Sequence, residues 1–141
     1  MAISFFFQYT RVTLTDRKRL KEFISLLFKR HGRKLGSLTY VFCTDKYLLE
    51  VNQRFLKHDF YTDIITFDLS SSKEMVEGEI YISVDRVRDN TKALEVTMKN
   101  ELHRVIFHGA LHLCGFNDNK GKAEKAKMTL EEDKNLRKYL S

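Results

Sequence analysis

Apolar residues along the chain fall into two rhythms, one alternating and one recurring every three to four positions, and their order predicts the elements. Ile3 to Gln8 is a β-branched and aromatic run that predicts a strand. A Thr-rich link follows, in which Thr13 or Thr15 is the expected cap for a helix beginning near Asp16. Leu20, Phe23, Ile24, Leu27 and Phe28 recur on one face of that helix, Lys and Arg fill the other, and Gly32 marks its end. Leu38 to Thr44 predicts a second strand, and Thr44 a cap for a helix from Asp45 to about Lys57 with Leu48, Val51 or Asn52, and Phe55 facing the core. Asp63 to Leu69 and Glu79 to Val84 read as a hairpin of two strands, separated by the polar Ser70 to Lys73 turn and by Gly78. From Asp85 the spacing turns helical: Val87, Ala93 and Leu94 in one segment, then Met98, Leu102, Val105, Ile106 and Leu111 in a second that stops at Gly115. A charged helix from about Lys122 to Leu140 carries a thin stripe of Met128, Leu136 and Leu140. This order predicts an α+β fold: a single domain, residues 1–141, with a small mixed sheet of about four strands and helices packed on it.

A chain of 141 residues is long enough to bury a core without disulfides or a structural metal. No apolar run approaches the ~18 residues of a membrane span, and the opening Met1 to Phe7 has no basic segment before its short apolar run, so neither a membrane nor an export role is expected. Cys43 and Cys114 are too few for a disulfide framework, which suits a reducing compartment and a cytoplasmic location. Both read as small apolar residues; Cys114, two positions beyond His112, lies about 200° around a helix from it and cannot share its ligand.

Net charge changes the picture once it is located. The stretch Asp16 to Lys34 holds Arg17, Lys18, Arg19, Lys21, Lys29, Arg30, Arg33 and Lys34 against Asp16 and Glu22, and so contains the whole formal excess of +6. Such a patch suits a polyanion; the competing reading is a solvated outer face of an amphipathic helix.

Candidate chemistry lies in His108 to Asp118. Residues four apart on a helix differ by about 40° in direction, so His108 and His112 stand one above the other and can converge on one ion. Gly115 can turn the chain back, bringing Asp118 round as a third ligand in preference to Asn117, because a carboxylate binds a dication better than an amide. The spacing resembles the zinc site of metzincin peptidases, yet Gly109 stands where those enzymes carry a general-base Glu. Three protein ligands leave a fourth position open, so Lewis-acid hydrolysis with one zinc, or another divalent ion, is the expected chemistry. The competing reading is a packed His pair with Asp118 facing solvent.

The same residues resemble, more closely, the YbeY family of metal-dependent endoribonucleases that mature ribosomal RNA, whose signature is H-G-x-L-H-L-x-G-Y-D-H. His108, Gly109, Leu111, His112, Leu113 and Gly115 match it, with Phe116 in place of Tyr. Asn52, Asp59 and the run Thr62 to Phe67 resemble the family's D-x-P-T-D-V-L-S-F region; Gly78, Glu79, Ile80 and Ile82 resemble its G-D-I-x-I strand; Met128 and Glu132 resemble its terminal M-x-x-x-E. The likeness runs from about residue 45 to 132 and departs at two places. The family's third His falls on Asp118, and its Arg falls on Leu56, for which Lys57 or His58 is a candidate replacement. The resemblance puts Thr62 and Asp63 near the metal as candidate catalytic residues, although a Thr-Asp pair before a strand also makes an ordinary hydrogen-bonded turn. His31 and His103 have no partner at useful spacing, and Phe67 and Tyr81, at alternating strand positions, suit a core as well as a base-stacking surface.

The expected function is a zinc-dependent endoribonuclease acting in ribosomal RNA maturation and ribosome quality control, with ribosomal RNA or its precursor and the ribosome or small subunit as partners and the basic first helix as the RNA-holding surface. The alternatives are a metallopeptidase-like or small-molecule metallohydrolase, and a non-catalytic ribosome-binding module with a structural metal.

Overall fold

A computed structural model of the protein describes residues 2–141. Its elements are β1 (Ile3–Gln8), α1 (Arg17–Arg30), β2 (Leu35–Cys43), α2 (Asp45–Leu56), β3 (Ile64–Asp68), β4 (Val76–Ser83), α3 (Val84–Leu94), α4 (Met98–Leu113) and α5 (Lys122–Leu140). The four strands form one sheet in the order β1-β2-β4-β3, with β1, β2 and β4 parallel and β3 antiparallel along the far edge, as in the expected mixed sheet of an α+β fold. Successive strand residues point to opposite faces. Leu38, Tyr40, Phe42, Ile80 and Ile82 therefore pack with α1 and α4 into the main core, while Val41, Cys43, Ile65, Phe67 and Tyr81 pack with Leu48 and Val51 of α2 into a smaller one. Phe67 and Tyr81 meet edge to face at 5.7 Å and belong to that second core. The buried Tyr40 hydroxyl donates to the Ile106 carbonyl at 2.8 Å and ties α4 to the centre of the sheet.

Several boundaries differ from the sequence expectation. The cap of α1 is Asp16, not Thr13 or Thr15: it adopts a left-handed conformation (φ 49°) from which its carboxylate accepts from the Arg19 amide. Gly78 lies inside β4, paired with Leu38 and Asp68, rather than in the turn before it; a Cβ there would stand 3.0 Å from the Phe67 carbonyl and 2.8 Å from Leu113, which is why the strand carries a glycine. Phe55, expected in the core, is 62% exposed and only touches the edge of Phe67, and in α3 the buried apolar residues are Val84 and Val87, with Ala93 and Leu94 in solvent. Both thiols are buried as expected, and burial foremost pushes each up to about 12, which keeps them protonated and inert. No helix among the described residues is long and apolar enough to cross a membrane.

The position that decides how α4 sits is Gly109. A Cβ there would stand 2.8 Å from Ile80 Cδ1 and 3.1 Å from Ile64 Cδ1, so the helix lies against β3 and β4 at a distance only glycine permits. Replacing Gly109 by Glu, which would complete a metzincin-like pattern on paper, is expected to drive a carboxylate into this apolar contact and to destabilise the fold by about 3 kcal/mol or more, without creating peptidase activity. Urea unfolding of Gly109→Glu beside wild type measures it; a wild-type midpoint would show that the contact is loose.

Candidate active site

α4 is buried along most of its length, but Arg104, His108 and His112, four residues apart, form one polar ridge on it. The ridge lines a cleft of about 550 Å³ whose other wall is built by Asn52 and Leu56 of α2, the segment His58 to Thr66, and Asp118. The chain is turned into this wall by the end of α4. Gly115, at φ 104°, lets its own amide donate to the His112 carbonyl and the Phe116 amide to the Leu111 carbonyl, both at 3.1 Å, which is a Schellman ending. The glycine bend expected from the sequence is therefore present, and it brings Asp118 Oδ2 to 3.6 Å from His108 Nε2. Asn117 is spent otherwise, its side chain accepting from the Asn119 amide.

Each imidazole has one nitrogen engaged by the protein. His112 Nδ1 lies 3.0 Å from the Phe116 carbonyl, an acceptor only, so that nitrogen carries the proton. His108 Nδ1 lies 2.6 Å from Glu132 Oε2. Both Nε2 atoms are thereby left with the lone pair, the arrangement that orients imidazoles toward a metal. The ring centroids are 6.4 Å apart, and among the described residues no three His, Cys, Asp or Glu side chains close into a compact cluster. The donor set nonetheless fits zinc: two imidazole nitrogens and a carboxylate in one cleft, with the turn and α5 holding the rings from behind.

Beneath the ridge runs a network that sequence reasoning did not anticipate. Arg104 donates Nε and Nη2 to the two oxygens of Glu101 at 2.7 Å and Nη1 to Glu132 Oε1 at 3.0 Å, and lies 4.0 Å from Asp63. Glu101 and Glu132 are 1% and 5% exposed. Asn90 of α3 bridges Glu101 Oε2 and Asp63 Oδ2 at 3.1 and 3.3 Å. Glu101 hydrogen bonds, foremost, hold Arg104 still more firmly charged than an ordinary guanidinium. Glu101, Glu132, Asp63 and Asp118 against one guanidinium leave an acidic surplus, which favours a cation. The available signal was the i, i+4 spacing of Arg104 and His108 with Glu101 one turn earlier.

The remaining expected residues divide. Thr62, Asp63 and His58 line the cleft; Lys57 does not, being the exposed cap of α2 in a left-handed conformation. Thr62 Oγ1 donates to the Ile64 carbonyl at 3.3 Å, the turn bond of the alternative reading, and His58 stacks on Phe60. Leu56 lines the cleft where the family Arg would stand, and Asn52 anchors the wall by donating to the Phe60 carbonyl at 2.9 Å. None of Arg17, Lys18, Arg19, Lys21, Lys29, Arg30, Arg33 and Lys34 lines this cleft. Arg19 and Arg30 brace α5 through the Tyr139 carbonyl and Asn135, and Arg17 and Lys21 lie over the Phe7 and Phe5 rings.

Comparison with known proteins identifies relatives of the whole chain. The family model described as Endoribonuclease YbeY matches residues 7–140. Proteins named Endoribonuclease YbeY from Cytophaga hutchinsonii and Porphyromonas gingivalis are 46% and 44% identical, covering 95% of this chain in both cases and 93% and 87% of their own lengths. One from Parabacteroides distasonis is 40% identical over 96% of this chain and 94% of its own. The solution structure of a Thermotoga maritima protein shares the fold, with a TM-score of 0.64 at 24% identity over 94% of this chain and 86% of that one.

For His108, burial lowers the pKa, but the hydrogen bond and charge of Glu132 and the charge of Asp118 overcome it, against Arg104, and leave the ring above its ordinary 6.5. In metal-free protein a raised histidine stabilises the fold fully below pH 6.5 and loses that contribution as pH rises through the folded value. Glu132→Gln is expected to move the His108 ring titration, followed by NMR, downward and to flatten the corresponding fall in urea midpoint. An unchanged titration would show that Glu132 does not set the ring.

Proposed function

Because the chain belongs to the YbeY family of endoribonucleases, hydrolases that cut RNA internally, we propose that it does so with one zinc ion held by His108, His112 and Asp118, in the cytoplasm, on ribosomal RNA or its precursor during maturation and quality control of the ribosome. The observation that carries the metal reading is the pair of imidazoles, each with Nδ1 bound to a protein acceptor and Nε2 left for a ligand, beside a carboxylate in an acidic cleft. Sequence similarity to proteins named as endoribonucleases supports RNA as the partner; the ribosomal target rests on the family resemblance.

A bound zinc ion supplies Lewis-acid polarisation of a phosphate oxygen. The protein supplies the rest. Asn90 holds Asp63 by Oδ2, and Oδ1, without a hydrogen-bond partner among the described residues, would take a proton from an attacking hydroxyl. Glu132 keeps His108 in one tautomer and orientation, and Arg104 keeps Glu132 in place from the other side. Since Arg104 is held by carboxylates and Leu56 is neutral, His58 is a cleft-lining side chain free to donate to a phosphate oxygen.

Elemental analysis is expected to find about one zinc per chain in the wild type and little in His108→Ala, His112→Ala or Asp118→Ala. Cleavage of a labelled precursor RNA from the small subunit should fall at least about 100-fold in each and return with zinc only in the wild type after chelation. Undiminished metal content and cleavage in His108→Ala would end the proposal. In the same assay His58→Ala should cost about 10-fold, as for a lost bond to a charged group, and Lys57→Ala nothing; equal losses would put Lys57 in the cleft.

A further inference from the structure

The first turns of α4 face a second cleft. Met98, Lys99, Leu102 and His103 line it together with the link between β1 and α1 and with Arg88 of α3, around a volume of about 660 Å³. No residue lines both clefts: His103 and His108 are five positions apart on the helix, about 140° around its axis, and so serve different sides.

Its charge is one-sided. Arg11, Arg17, Arg88 and Lys99 line it and no carboxylate does. Among the described residues none of the four has a carboxylate oxygen within 4.0 Å, and none donates a side-chain hydrogen bond to another protein group. Four unpaired cations around one hollow repel one another, and an anion entering it relieves that repulsion. Its histidine is neutral and buried. His103 is 2% exposed, its Nδ1 engages the Lys99 carbonyl at 2.7 Å, and its Nε2 has no partner.

The surface continues past Arg11 and Arg17 along β1, an edge strand, and the residue after it, where Phe6 and Tyr9 are 55% and 76% exposed. Exposed rings beside unpaired cations are the composition of a single-stranded nucleic acid track, where bases stack and phosphates meet positive charge. An acidic peptide would satisfy the cations and leave the rings in water. We propose that this surface holds a single-stranded stretch of RNA, with phosphates on Arg11, Arg17, Arg88 and Lys99 and bases on Phe6 and Tyr9. It rests on the endoribonuclease reading only for the identity of the polymer, and it needs neither the metal nor the catalytic cleft.

Binding of a short fluorescein-labelled single-stranded RNA of mixed sequence to the full chain, with chelator present so that nothing is cut, tests it by anisotropy across a salt series. The double variant Arg11→Ala/Arg88→Ala is expected to lose about 10-fold or more in affinity and to flatten the salt slope by about 1.4, the contribution of two phosphate contacts. Phe6→Ala/Tyr9→Ala should lose a comparable factor with the slope unchanged. Lys125→Ala/Lys127→Ala, an equal loss of charge on exposed positions of α5, should change affinity less than about 2-fold. Because the measurement needs neither metal nor cleavage, failure of the catalytic reading leaves this result standing. Equal losses in the Arg11/Arg88 and Lys125/Lys127 variants would overturn the proposal, and so would polyglutamate displacing the labelled RNA better than unlabelled RNA of equal length.

Discussion

Arg104, clasped between Glu101 and Glu132, is the contact on which the site depends. Two carboxylates that are almost fully buried would each cost several kcal/mol if left alone, and the guanidinium between them removes that cost while fixing their directions. One end of the clasp belongs to α4 and the other to α5, so the ion pair decides where α5 lies and brings the second Glu132 oxygen onto His108. The apolar stripe of α5 is thin, and the helix is held as much by Asn135, by Arg19 under Tyr139 and by Glu132 as by Met128 and Leu136. A helix that looks like a solvated appendage is thus part of what holds His108 in the cleft.

The second constraint is the closeness of α4 to the sheet. Gly109 lets the helix meet Ile80 and Ile64, and Gly78 lets its last turn, through Leu113, meet β4. The residue after the first histidine therefore faces apolar side chains, so the proton-handling group of metzincin peptidases has no room at that place. Asp63, just before β3, stands as a carboxylate on the opposite wall of the cleft. The same likeness in ligand spacing can in this way serve different chemistry, because packing decides which face of the helix sees the substrate.

α4 also separates two electrostatic environments. Its Arg104 to His112 ridge looks onto carboxylates, and its first turns look onto unpaired cations. The basic helix α1, which the charge run singled out, is only partly available to a polyanion, since Arg19 and Arg30 are spent on α5. Arg11 and Arg88, outside that run, join Arg17 at the second cleft. A charge count along the chain located the excess but not the surface it makes.

Local features were legible in the sequence. The residues of β1, the Thr44 cap of α2, the hairpin of β3 and β4, the stacked His108 and His112 and the Gly115 bend all depend on residues within a few positions of one another, and each was where spacing and propensity put it. Asp118 rather than Asn117 lies beside His108, in line with the glycine bend the sequence marks. What only the tertiary structure decided involves partners far apart in the chain: Glu132 on His108, Asn90 between Asp63 and Glu101, Phe55 left in solvent, and Gly78 inside a strand, where Leu113 approaches it. Periodicity reports which face of an element is apolar, but it carries no record of which polar side chains from other elements will meet there. Those meetings follow from how the helices settle on the sheet, at distances set by single methyl groups.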